Sequence, residues 1–337
     1  FRFRKNKPSR ITFRFSGSDV FGVRGPAVSM DSGESWNWLG APSLVGNGFT
    51  FDYPGGGVEV RFSMTMAYTN YHLQRLIGKH KEDAGFKRES LCTTDKGREV
   101  SLLRFGSIGR KPKFRAVLTS RSHACESMAS YSLEGLVDYV LDDTDDGGWL
   151  RNNIEFLCVP FMDTDGVEDG DQGKNRIPRD HNRDFNNNPR YPAVRSLVEL
   201  VPDWLGGVPF ISLDLHCPHL RGDGNLHIYQ VGQQDAGAWS EQIRFGNILE
   251  STAGGPLPYR SGDNLPFGQE WNTAEGFLKG RNCTMWLSSL PGSLLGSSIE
   301  IPYATARGNE VNQLSAKLFG HDLARAIRAY LSELRCR

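Results

Sequence analysis

The chain has 337 residues, 38% hydrophobic and 23% charged, with Lys plus Arg and Asp plus Glu both numbering 39. This length suits one large domain or two ordinary ones. The balanced charge creates no global field for nucleic acid, and the longest apolar runs are too short to cross a membrane.

The six cysteines, Cys92, Cys125, Cys158, Cys217, Cys283 and Cys336, are scattered without a C-x-x-C pair, so no disulfide scaffold is expected. The sequence opens at Phe1, without Met and inside an expected strand. A natural N-terminus upstream is therefore expected, and cytoplasmic and exported locations both stay open.

Residues 1–66 read as a small all-β sandwich. Residues 10–15, 49–51 and 58–62 alternate with period two, and turn clusters at 17–19, 31–33 and 54–57 separate them. Trp36 and Trp38 fall on one face of a strand, which predicts packing against a sheet core, with a sugar-stacking platform as the functional alternative. From residue 67 to 337 strands and helices alternate, predicting an α/β unit with a mixed, mostly parallel sheet flanked by helices. Helices are predicted over 71–77, 128–141, 193–200, 236–249 and 310–334, and strands over 90–93, 99–105, 116–118 and 154–161. His72, His80 and His321 lie on or beside these helices and read as satisfied or surface residues.

Residues 162–185 form the longest stretch without periodicity, and such loops in compact domains are usually functional. Acids at alternate positions suggest a calcium loop, but no Glu closes it at the required offset and no helix is expected to enter it.

Two predicted strands end in histidine-bearing segments. The strand at 116–118 leads into His123 and Glu126, an H-x-x-E pair, and the strand beginning at 211 ends at His216. Two His and one Glu are a common zinc set in hydrolases, with a fourth position left for water. Cys125 and Cys217 neighbour these ligands, but strand alternation points a cysteine away from an adjacent strand-end histidine. A third segment contributes Asn182-Arg183, and a late strand carries Glu300 between Ile299 and Ile301.

Taken in order, His123/Glu126, Asn182-Arg183, His216 and Glu300 resemble the M14 (funnelin) zinc carboxypeptidases. The leading β-sandwich, with its W-x-W stretch, resembles the cytosolic-carboxypeptidase branch. The resemblance implies Zn2+ on His123, Glu126 and His216, and Glu300 as general base. It also implies a substrate carboxylate held by Arg183 and Asn182, because a guanidinium grips a carboxylate bidentately. The family places an arginine before the N-R pair to stabilise the oxyanion; Arg176 is the choice here and Arg179 the competitor. Asp214 and His219 flank His216 closely enough to support it.

The family's flap tyrosine has no counterpart in its usual window, which holds Phe277. The pocket-floor segment falls near Asn282, Cys283 and Thr284. Neighbouring Arg281 and Lys279 are long enough to swing in, and with Arg281 binding substrate the expected preference is for an acidic C-terminal residue. The implied function is hydrolysis of the C-terminal peptide bond of peptides or proteins, with neither nucleic acid nor membrane insertion as a partner. Other enzyme readings are an aspartoacylase-like amidohydrolase and a cell-wall peptide carboxypeptidase. The non-enzyme reading is a binding module with a decayed site.

Overall fold

The computed structural model describes residues 1–17, 20–174, 176–278 and 280–334. Ser18 and Asp19 of the expected turn, Lys279, Cys336 and the side chain of Phe277 lie outside the described residues.

Seven short strands come first: β1 (Arg2–Phe3), β2 (Ser9–Arg14), β3 (Ala27–Ser29), β4 (Asn37–Trp38), β5 (Leu44–Val45), β6 (Gly48–Tyr53) and β7 (Val60–Ser63). They form two antiparallel sheets, ordered β1-β7-β3-β4 and β2-β6-β5. β2 alternates half-buried and exposed side chains, as its period-two pattern requires. Phe49 and Tyr53 of β6 meet Val60 and Phe62 of β7 in one apolar cluster. Within it the rings of Phe13, Phe49 and Phe62 lie with centroids 5.0–5.2 Å apart, a spacing at which aromatic pairs attract beyond their buried area. The tryptophans are structural. Trp36 is buried and donates its indole N–H to the Gly33 carbonyl at 3.1 Å, and Trp38 donates to the Val311 carbonyl at 2.7 Å.

The remaining chain alternates helices and strands: α1 (Asn70–His80), β8 (Phe86–Thr93), β9 (Glu99–Gly106), β10 (Phe114–Ser120), α2 (Ser127–Leu141), α3 (Asp145–Asn153), β11 (Ile154–Val159) and α4 (Thr164–Asp169). Then come α5 (Pro192–Leu205), β12 (Phe210–His216), β13 (Tyr229–Val231), α6 (Ala236–Thr252), α7 (Cys283–Ser288), β14 (Ser293–Glu300) and α8 (Gln313–Glu333). The large sheet has the order β13-β14-β12-β10-β11-β9-β8. Its centre, β14, β12, β10 and β11, is parallel, and antiparallel strands complete both edges. β11 and β12 are buried throughout, including Glu155 of β11 and Ser212, Asp214 and His216 of β12. Successive β10 residues serve opposite faces: Ala116 and Leu118 join one core, and Val117 joins the other.

Two glycines let the helices on the first face approach. A Cβ on Gly320 of α8 would lie 2.0 Å from the Ser132 carbonyl oxygen of α2, and one on Gly135 of α2 would lie 2.0 Å from the Lys317 carbonyl oxygen. α2 is thereby clamped directly behind the residue that precedes it, Glu126.

The 162–185 segment holds more structure than its lack of periodicity suggested. α4 occupies its first part, with the Asp163 carboxylate accepting from Gly166 N at 2.9 Å and Gly170 closing the helix at φ 77°. Six residues are too few to show a helical repeat; the capping residues at either end are what define this helix.

Candidate active site

The carboxyl ends of parallel strands meet in a crevice where α/β sheets characteristically bind ligands. Here β12 and β14 bring His216 and Glu300 into direct register, and β13 sets Tyr229 beside Glu300. β10 ends at Ser120, next to Leu215 of β12. The chain then turns through Arg121, which takes a positive φ of 58°. Its buried guanidinium donates to the carbonyls of Ala124 and Tyr68, each at 2.9 Å, and to the Ser130 hydroxyl at 3.0 Å. These bonds brace the loop so that His123 and Glu126 face the same point before α2 begins.

One donor atom each from His123, Glu126 and His216 lies within 4.8 Å of the others. The Glu126 carboxylate joins the set: Oε1 is 2.9 Å from His123 Nδ1, and Oε2 is 2.7 Å from His216 Nδ1. The Nε2 of His216 lies 2.7 Å from Asp214 Oδ2, and Thr119 donates to Asp214 Oδ1 at 2.7 Å. That chain is the usual support of a metal-bound imidazole, which fixes ring orientation through the nitrogen away from the ion. Burial alone would raise the Glu126 pKa, but Lys174, His123 and His216 hold it well below the ordinary carboxylate range. The donor types, their convergence and this charged carboxylate fit a metal cofactor.

A cavity of about 190 Å³ opens over the cluster. His123, Glu126, His216, Glu300, Asn182, Arg183 and Lys174 line it, and Asp180, Tyr229, Trp271, Asn282 and Ser298 are among the other lining residues. Burial pushes the Glu300 carboxyl above its ordinary range, and its Oε2 is buried with no hydrogen-bond partner in the protein. Arg183 turns its guanidinium to the carbonyls of Gly276 and Asn182 at 2.9 and 3.0 Å. The Asn182 amide nitrogen lies 3.1 Å from His216 Nε2, and its oxygen accepts from Cys283 N at 3.1 Å. With Nε2 donating to Asp214, the Asn182 amide packs beside the ligand histidine without bonding to it, is held by Cys283 N and faces the cavity. His219 also lines it. A larger, mostly apolar cavity of about 640 Å³ shares Lys174, Pro218 and His219 with it but contains none of the metal cluster.

The structure does not bring every expected arginine here. Arg176 is paired with the buried Asp163 at 2.5 Å and with Asp171 at 3.0 Å, and it does not line the cavity. Arg179 pairs with Asp184 and donates to the Asn188 carbonyl at 3.0 Å. Arg281 also stands outside the cavity lining. It donates to the Met285 carbonyl at 2.9 Å because Asn282 caps α7 through Met285 N, which leaves residue 281 running along the first turn. Lining residues that the sequence reading did not single out include Lys174, Asp180, Tyr229 and Trp271. Trp271, 41% exposed, is an aromatic at the cavity wall.

The zinc carboxypeptidase family model (Peptidase_M14) matches residues 80–197, which include His123, Glu126, Asn182 and Arg183. Cytosolic carboxypeptidase 2 of Xenopus tropicalis is 30% identical over 157 residues, 44% of this chain and 16% of that protein. Cytosolic carboxypeptidase 3 of Bos taurus is 30% identical over 146 residues, 41% of this chain and 14% of that one. The matched segment resembles the M14 zinc carboxypeptidases, and among the curated relatives the cytosolic carboxypeptidases. The matches span less than a fifth of the length of these two relatives. The fold agrees with a metallo-carboxypeptidase from Burkholderia cenocepacia at TM-score 0.76 and 18% identity, covering 99% of this chain and 89% of that one. It also agrees with a metallo-carboxypeptidase from Pseudomonas aeruginosa solved with (2-guanidinoethylmercapto)succinic acid, at TM-score 0.76 and 21% identity, covering 99% and 90%. Among the described residues no helix is long and apolar enough to cross a membrane.

Proposed function

We propose that this chain is a zinc-dependent metallocarboxypeptidase that removes the C-terminal residue of peptides or proteins. The observation that carries the reading is the convergence of His123, Glu126 and His216 beside a buried, unpartnered Glu300 carboxylate oxygen in one cavity. Two imidazoles and a carboxylate are the ligand set that suits zinc while leaving a position open.

Zinc bound there would supply a Lewis acid that makes an attacking water more acidic. Glu300 takes the proton from that water as its oxygen bonds to the scissile carbonyl carbon and the carbonyl π pair moves onto oxygen. The C–N bond then breaks, its electron pair leaves with nitrogen, and the proton held by Glu300 passes to that nitrogen. One water is consumed, and one carboxylic acid and one amine are formed. Arg183 is assigned to the terminal carboxylate, with Asn182 beside it as an amide donor.

Two further readings belong with this one. Residues 1–66 are proposed as a β-sandwich domain and residues 67–337 as the catalytic domain, supported by the separate aromatic core of β6 and β7. The neutral wall at Asn282 and Ser298, together with the outward course of Arg281, favours neutral over acidic C-terminal side chains.

The test is release of a C-terminal amino acid from peptides ending in Ala, Thr, Phe, Lys and Glu. We expect release that stops on chelation, returns with zinc and is faster on Ala or Thr than on Glu. No release from any peptide by the zinc-loaded protein would reject the carboxypeptidase reading. Fastest release of Glu would reject the neutral pocket alone.

A further inference from the structure

If this cavity cleaves C-terminal peptide bonds, the reaction needs a second positive group beside the metal, one that can hold the carbonyl oxygen as it becomes an oxyanion. The arginines expected for that task, Arg176 and Arg179, are committed to Asp163, Asp171 and Asp184 and stand outside the cavity. Arg183 is occupied by the carbonyls of Gly276 and Asn182, and it is the group suited to the substrate's terminal carboxylate.

Lys174 is built into the remaining position. The strand-end loop that carries the metal ligands and the 170–174 segment are joined backbone to backbone: Cys125 N donates to the Gln172 carbonyl at 3.1 Å. Gly173 presses against that loop so closely that a Cβ would lie 2.3 Å from Ala124 N, and its φ of 84° is one a side chain disfavours. The residue after Gly173 therefore has to project beside Glu126. Its ammonium lies 2.8 Å from Glu126 Oε1 and 2.9 Å from the Cys217 carbonyl, and the side chain is 16% exposed. An ammonium has three N–H donors. Two have these partners and the third is available to the cavity that Lys174 lines.

We propose that Lys174 is the oxyanion-holding cation of this site, filling with a lysine the role sought for Arg176. Its N–H polarises the scissile carbonyl in the substrate and donates to the oxygen more strongly once the π pair has moved there. No proton is transferred from Lys174; the water proton travels through Glu300 as above. A metal ion on Glu126 shares that carboxylate with the ammonium, so the Cys217 carbonyl is the contact that keeps Nζ at the cavity edge.

A purely structural lysine would do no more than neutralise Glu126, and three measurements separate the two roles. The first is kcat of the zinc-loaded Lys174→Met variant, expected to fall about 10²- to 10³-fold, the range for losing one oxyanion donor. The second compares two ligands. A peptide analogue carrying a tetrahedral phosphonate at the scissile position should lose affinity by a similar factor, since catalysis follows transition-state binding. The free amino acid product, held by Arg183, should change by less than about 3-fold, because its binding does not involve the oxyanion. The third is zinc affinity by chelator competition, expected to stay level or rise because one cation competing for Glu126 has gone. Lys174→Arg should retain more kcat and more phosphonate affinity than Lys174→Met.

A zinc-replete Lys174→Met variant with wild-type kcat would overturn the proposal. So would parallel losses of phosphonate and product affinity, or a loss of activity that merely tracks lost zinc. If the Met variant fails to fold by circular dichroism, Lys174→Gln and Lys174→Arg carry the same comparisons. Wild-type protein that cleaves no peptide would instead remove the carboxypeptidase reading, before any lysine variant is compared.

Discussion

Glu300 sits in a setting that suits a proton shuttle better than a structural charge. Its carboxylate oxygen Oε2 is buried without a partner, and burial raises its pKa, whereas the nearby Glu126 is held ionised by Lys174 and two histidines. Environments that push two neighbouring carboxylates apart in this way commonly separate their roles. Glu300→Gln should therefore keep fold and zinc but lose at least about 10²-fold in kcat, the lower range for removing general acid–base catalysis. Arg183→Ala run beside it should raise KM far more than it lowers kcat, since it removes carboxylate binding common to ground and transition states. Equal kcat losses in both variants would contradict this division of labour. At this scale the ligands were legible because each follows an apolar strand, and Glu300 because it is a lone acid between isoleucines. Lys174 was not, because its direction is set by a glycine pressed onto a loop fifty residues earlier, a contact with no periodic signature. Arg176 shows the same limit: a charge in an aperiodic loop gives no sign of the carboxylates, Asp163 and Asp171, that it meets.

Elements of ten residues or more were readable from their apolar repeat. α2, α6 and α8 lie close to their expected spans, and β8 and β9 flank a turn where one was expected. α7 and β13 have six and three residues, below the length at which a repeat can be seen; β13 lines the cavity through Tyr229 and Val231, and the cap of α7, Asn282, does so as well. What no pattern could reveal is that α2 and α8 touch through glycines. Gly320 meets the Ser132 carbonyl so closely that any side chain must force the helices apart, and α2 starts at the residue after Glu126. Gly320→Val should destabilise the fold by at least about 1–3 kcal/mol, the usual cost of overpacking a core. It should also weaken zinc binding, because moving α2 moves Glu126. Thermal melts with zinc titration would check this. A lowered melting temperature with unchanged zinc affinity would show that the helix crossing and the metal site are uncoupled.

At the scale of the whole molecule, the metal site is a junction between segments far apart in sequence. His123 and Glu126 come from the loop after β10, His216 ends β12, Asp214 supports it from within β12, and Asn182 reaches it from the 162–185 segment. His216 lies 90 residues from Glu126 along the chain, so an ion bound by all three ligands favours the folded state. Such a ligand stabilises by about 2.7 kcal/mol when its free concentration is about 100 times Kd. Zinc added to metal-stripped protein should therefore raise the melting temperature by several degrees, in proportion to the logarithm of its concentration, and a chelator should reverse the rise. His216→Ala, which removes one ligand and orphans Asp214, should show a much smaller rise at the same zinc concentration. The measurement is a set of thermal melts over a range of buffered free zinc, with elemental analysis of each sample. An equal zinc-dependent rise in wild type and His216→Ala would mean that the stabilising ion binds elsewhere, and that the cluster at the strand ends is not the site that couples metal to folding.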